Sequence, residues 1–181
     1  MKIALLGAES TGKSRLASEL AEHLRRRGRA VAVVPEILRE WCQREGRTPR
    51  PEEQMPIAQE QEHRVEVAAA TSDIVIADTT ALMIAIYSAM LFEDGRLYQF
   101  ALARQRRYDL TLLTGLDLPW VADGLQRDGP HVREPVDALV RAGLARAGVP
   151  YRVIYGSGEE RLFNALAAIE WELRPPPAPR Y

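Results

Sequence analysis

The sequence predicts a three-layer α/β fold built on a five-stranded parallel sheet, and three observations carry that prediction. Short runs such as Lys2–Leu6 and Asp73–Ala77 are apolar at nearly every position, as strands buried on both faces are. They alternate with longer stretches of helical periodicity, the order that parallel βαβ units require. The first strand ends at Gly7 and a helix begins after Lys13, so a glycine-bounded loop is expected at the carboxyl edge of the sheet.

After the first strand, Leu16, Leu20 and Leu24 recur once per turn and mark the first helix. Arg25, Arg26 and Arg27 crowd its end before Gly28, where cations complement the helix dipole and glycine caps. Ala30–Val34 is the second strand, closed by Pro35 and Glu36. A polar connection punctuated by proline, residues 47–56, leads into a long helix reaching about Thr71. Asp73–Ala77 is the third strand, followed by Asp78 and the uncharged run Thr79–Phe92. That run falls short of the about 20 residues a membrane-spanning helix needs and reads as a buried helix. Leu110–Leu113 and Arg152–Tyr155 complete the sheet. Between them, Leu118–Pro135 holds three prolines and two glycines, a loop long enough to serve as a lid. The whole reads as one domain, residues 1–174, ahead of a proline-rich tail, 175–181.

The composition excludes several classes. With 181 residues and 46% hydrophobic content, the chain can bury a core without a staple, and its single cysteine, Cys42, cannot form an internal disulfide. Twenty-four basic against 25 acidic residues give a net charge of −1, so no global attraction to nucleic acid or to a membrane surface is expected. His23, His63 and His131 lack metal-ligand spacing. The N-terminus reaches Gly7 and Glu9 before a signal-peptide core is long enough, and cytoplasm is the expected location.

The chemistry concentrates at Gly7-Ala8-Glu9-Ser10-Thr11-Gly12-Lys13-Ser14, which fits G-x-x-x-x-G-K-[ST] between a strand and a helix. Glycines let the backbone curl so that the N–H groups from Gly7 through Ser14 surround an anion, and the helix N-terminus adds partial positive charge. Lys13 suits the β and γ phosphates of a nucleoside triphosphate, and the Ser14 hydroxyl suits Mg²⁺. Lysine is rare here, since only Lys2 and Lys13 occur among the 24 basic residues, which sharpens the match.

Such a loop also requires a carboxylate on a neighbouring strand to organise Mg²⁺ and the attacking group. Asp78 ends strand three and fills that place, with an N-cap of the next helix as its alternative role. Glu36 ends strand two at the same sheet edge. It suits either a pair of sugar hydroxyls or the start of a helix, and Arg39 one turn on suits either an ion pair with Glu36 or a phosphate. A GTPase pattern is missing: Thr79 and Thr80 follow Asp78, and Thr114-Gly115-Leu116-Asp117 lacks the lysine of a guanine-reading motif. Thr79 also stands where a hydrolytic ATPase carries a second acid, which favours transfer to a bound hydroxyl. A transferase needs a cationic lid to exclude water, and Arg127 and Arg133 in the 118–135 loop are the candidates.

Beyond the loop, P-E-I-L-R-E at 35–40, I-A-Q-E-Q at 57–61, I-V-I-A-D-T at 74–79 and P-W-V-A-D-G-L at 119–125 stand in a fixed order. In these pieces the sequence, over about residues 2–165, resembles the ribosylnicotinamide kinase domain of NadR-type proteins, a branch of the nucleoside-kinase-like phosphate-loop NTPases. The resemblance implies ATP-dependent phosphorylation of nicotinamide riboside, with ATP and Mg²⁺ as cofactors and a small nucleoside as partner. It implies that Lys13 and Ser14 bind phosphate and metal, that Asp78 serves the acceptor hydroxyl, and that Glu36 binds the ribose. The stack for the pyridinium ring falls to Trp41, Tyr87 or Trp120. Because the loop opens at residue 7, only the kinase half is expected, without the adenylyltransferase domain of the bifunctional proteins. Gln126 replaces the arginine that often follows D-G-L, with Arg127 one place later.

Overall fold

Five strands, β1 (Lys2–Leu6), β2 (Val31–Val34), β3 (Ile74–Asp78), β4 (Leu110–Thr114) and β5 (Arg152–Ile154), form one sheet in the order β2-β3-β1-β4-β5. Every pairing is parallel. The computed structural model describes residues 1–91, 95–121 and 129–174. Within them lie helices α1 (Lys13–Arg26), α2 (Ile37–Glu45), α3 (Pro51–Ala69), α4 (Ala81–Leu91), α5 (Gly95–Gln105), α6 (Arg133–Ala147) and α7 (Gly158–Glu172).

The pleat sorts each strand between two layers. Ile3 and Leu5 of β1, with Ile74 and Ile76 of β3, meet Leu16 and Leu20 of α1 and Ile169 of α7. Leu6 and Leu113 face α4, α5 and α6 on the opposite side, while Val75 and Ala77 pack with Val65 of α3. The run Thr79–Phe92 yields α4, whose Leu82, Ile84 and Ile86 are at most 1% exposed, as a helix apolar on all sides must be. Among the described residues no helix is long and apolar enough to cross a membrane.

Two boundaries depart from the sequence reading, and proline is the reason in both. The connection expected to run to Pro56 ends at Pro51, which sits at the first position of α3, where its missing N–H is not needed. The Glu53 carboxylate accepts the Arg50 N–H at 2.7 Å and closes that turn, so the helix starts one and a half turns early and carries Pro56 inside it. The 118–135 loop likewise stops short of Pro135: a 3-10 turn at Pro130–Val132 leads into α6, which holds Pro135 in its first turn. Residues 122–128, including Arg127, and the tail 175–181 lie outside the described residues.

Candidate nucleotide and acceptor site

The site is assembled where β1 and β3 end side by side. Leu5 pairs with Asp78 in register, and Gly7 opens the loop two residues beyond Leu5. Gly7 has φ +149°, and a Cβ there would stand 2.0 Å from Thr114 Oγ1, so only glycine lets the loop pass this close to β4. Gly12 takes the left-handed conformation at φ +76° as the N-cap of α1. No side chain caps α1 and its first turn holds no acid, so its N–H groups face the loop concavity.

Side chains lock the loop to its neighbours. Thr11 Oγ1 donates to the Ala8 carbonyl at 2.8 Å and lies 2.7 Å from Thr114 Oγ1. Arg161, 4% exposed at the start of α7, donates to the Thr11 carbonyl at 3.0 Å and the Ile154 carbonyl at 2.9 Å, tying the loop to β5. Burial pulls the Arg161 guanidinium below its ordinary range, although Asp117 stands 3.4 Å away. Lys13, 9% exposed, folds back so that Nζ donates to the Gly7 and Ala8 carbonyls at 2.9 and 2.8 Å. Glu9 is 8% exposed within the loop, and the Ser14 side chain is half-buried at its end. Ser10 Oγ accepts the Val121 N–H at 2.8 Å and donates to the Val121 carbonyl at 2.9 Å, which joins the loop to the root of the 118–135 segment.

Asp78 is 4% exposed, and its Oδ1 is buried without a hydrogen-bond partner. Pleat parity sets it on the face of Ile74 and Ile76, the side of α1 and the phosphate loop. It does not cap α4, because Thr80 Oγ1 accepts the Leu82 N–H at 3.2 Å and Glu62 Oε1 accepts the Ala81 N–H at 2.9 Å. Ser10 (φ 54°) and Thr79 (φ 74°) are the non-glycine residues with positive φ among those described, and both lie here. One buried carboxylate oxygen and one hydroxyl at the loop's end fit Mg²⁺, which keeps waters and phosphate oxygens and needs no protein cage. No cluster of three His, Cys, Asp or Glu able to hold a metal occurs among the described residues.

Glu36 holds the N-cap of α2 and pairs with Arg39 at 3.1 Å. Among the candidate stacking residues, Trp41 packs against the core with Arg47 over its ring at 4.8 Å, and Tyr87 is half-buried on α4. Trp120 lies in the loop after β4 with its Nε1 buried and without a partner. Arg133, expected in the lid, is the first residue of α6 and 8% exposed. Its Nη1 donates to the Leu118 carbonyl at 2.9 Å, so it anchors the loop's own backbone. Asp117, within the pattern that resembles a guanine reader, accepts the Gly156 N–H at 2.6 Å instead. Sequence reasoning passed over Thr114, Arg161 and the capping role of Glu62, since each works through partners remote in the chain; the I-A-Q-E-Q run was the one available signal for α3.

The sheet order, the loop and the carboxylate beside it define a phosphate-loop nucleotide-binding α/β domain. A family model described as AAA domain (AAA_28) matches residues 2–161, and the chain belongs to that family. No curated protein matches the chain in sequence. Among solved structures, NadR in complex with NAD and AMP-PNP superposes with a TM-score of 0.73 at 17% identity, over 99% of this chain and 51% of that one. NadR in complex with NR gives 0.75 at 18% identity, over 99% and 52%. Deoxyadenosine kinase from M. mycoides gives 0.65 at 14% identity, over 94% and 100%. The chain therefore spans about half the length of the NadR structures and shares the fold of NadR-type and nucleoside kinases.

Proposed function

We propose that the chain is an ATP-dependent small-metabolite kinase whose first acceptor is nicotinamide riboside. The observation that carries the reading is Asp78: a buried carboxylate oxygen without a partner, beside the phosphate loop and relieved of helix capping. Lys13 and the loop N–H groups bind the triphosphate, and Ser14 and Asp78 hold Mg²⁺, which when bound neutralises phosphate charge. The acceptor oxygen attacks the γ-phosphorus, the bond to the β–γ bridging oxygen breaks, ADP leaves, and the hydroxyl proton passes to Asp78. Glu36 reads the ribose diol, Arg127 supplies the lid cation, and Arg133 holds the lid's root. Trp41, Tyr87 and Trp120 are the candidates to stack on the pyridinium ring.

The test is a panel of nucleosides and small alcohols with ATP and Mg²⁺, read as ADP release above the background without acceptor. Nicotinamide riboside should give the highest kcat/KM. Tight nucleotide binding with no acceptor dependence would mean a nucleotide-binding switch and end the kinase reading.

A further inference from the structure

Two helices begin just beyond a strand and an acid: Glu36, two residues past β2, is the N-cap residue of α2, and Asp78 ends β3 three residues ahead of the start of α4. An acid at or just ahead of a helix start can turn back to accept the helix's free N–H groups. Neither one does. Glu36 makes no side-chain cap bond at α2; the Ile37 N–H donates instead to Gln61 Oε1 at 2.9 Å. From the other end of the same amide, Nε2 donates to the Pro35 carbonyl at 3.3 Å, so one side chain holds the groups on both sides of Glu36. At α4 Thr80 takes the Leu82 N–H, and the Ala81 N–H is taken by Glu62, which also accepts the Tyr108 hydroxyl at 3.2 Å.

Gln61 and Glu62 are neighbours in α3, 0% and 5% exposed, and the turn of about 100° between them sends one to each junction. The residue types match the two tasks. The β2–α2 junction presents a carbonyl and an N–H, which an amide satisfies with one donor and one acceptor. The second junction presents two donors, which suit a carboxylate.

We propose that Gln61 and Glu62 take N–H groups of α2 and α4 from a third helix, and that this relieves Glu36 and Asp78 of capping and fixes the place of the two carboxylates that serve the acceptor. The proposal rests on the kinase reading above. Gln61 is thus a positioning residue that acts through Glu36: its loss re-aims the carboxylate without touching the phosphate loop.

The experiment is a double-mutant cycle on the full chain, with acceptor and ATP kinetics measured separately. Gln61→Met keeps the length and removes both polar groups. It should lower acceptor kcat/KM by about tenfold to a hundredfold, the penalty of a misplaced group, and leave KM for ATP unchanged. In the Glu36→Gln background the same substitution should add almost nothing, because the group it aims is already gone. Additive losses, or an equal rise in KM for ATP, overturn the proposal while leaving the kinase reading intact. Gln61→Glu keeps the acceptor for Ile37 and lacks the donor for Pro35, so it should fall between wild type and Gln61→Met, and it decides the matter if the methionine variant does not fold. Wild-type chain without acceptor-dependent ADP release overturns the kinase reading, and the proposal with it.

Discussion

Lys13, Asp78 and Glu62 are all buried charged residues, yet physical chemistry assigns them different consequences on substitution. Phosphoryl transfer depends on positioning and charge neutralisation, so Lys13→Ala should lower kcat by about a hundredfold or more while the circular dichroism spectrum stays native. On the proposed kinase reading, Asp78 acts mainly once the hydroxyl is being deprotonated. Asp78→Asn should keep ATP affinity within about tenfold and lose on the order of 10² to 10⁴ in kcat, to be read by nucleotide titration beside acceptor turnover. Substitution of Glu62 also bears on stability. Burial, the largest influence, raises its pKa above the ordinary 4.5 despite the bonds from Ala81 and Tyr108. The folded state then holds a proton that the unfolded chain releases, so wild-type stability falls as pH rises from about 4.5 through the raised folded value. Glu62→Gln retains an acceptor for Ala81 and removes that dependence. In urea unfolding at successive pH values, its stability relative to wild type should therefore grow across that window and then level off.

At the scale of elements, the phosphate loop is a strained segment held by neighbours, and Arg161 is the longest-range of its ties. The Thr11 carbonyl it holds lies 150 residues away in sequence. Arg161→Met strands the Thr11 and Ile154 carbonyls and should destabilise the fold by about 2–3 kcal/mol, measured by denaturant unfolding, with weaker ATP binding as the loop loosens. At the start of α3, the Arg47 guanidinium and the Arg50 N–H hold the Glu53 carboxylate down to about 2. Its contribution is complete above the ordinary 4.5 and is lost as pH falls toward about 2; Glu53→Gln should abolish that part of the acid dependence. The strands were legible to within a residue or so, because burial on both faces writes itself as continuous apolar runs. Helix starts at α3 and α6 were not, since Pro56 and Pro135 look like breakers until Pro51, Glu53 and the 3-10 turn are seen to begin each helix earlier. The phosphate loop and Asp78 could be found locally, whereas Gln61, Glu62 and Thr114 take their roles from partners brought together by the sheet.

For the molecule as a whole, nucleotide binding should appear as stability. ATP at about a hundred times its dissociation constant adds about 2.7 kcal/mol, which for a domain of this size raises Tm by roughly 5–10 °C in a thermal shift assay. Lys13→Ala should lose most of that shift. The sheet order carries a different consequence, for how the chain reaches its fold. β1 is made first and ends in the middle, between β3 and β4. Its amino terminus donates to the Asp73 carbonyl, 72 residues on, and the Lys2 N–H donates to Asp109, 107 residues on. During synthesis β1 therefore waits for β3 to cover one edge and, longer, for β4 to cover the other. Contacts this distant make folding slow and leave the nascent chain open to aggregation. Chains truncated before β4 should accumulate as insoluble protein, and the phosphate loop, at the tip of that waiting strand, should be among the last parts to become competent for nucleotide.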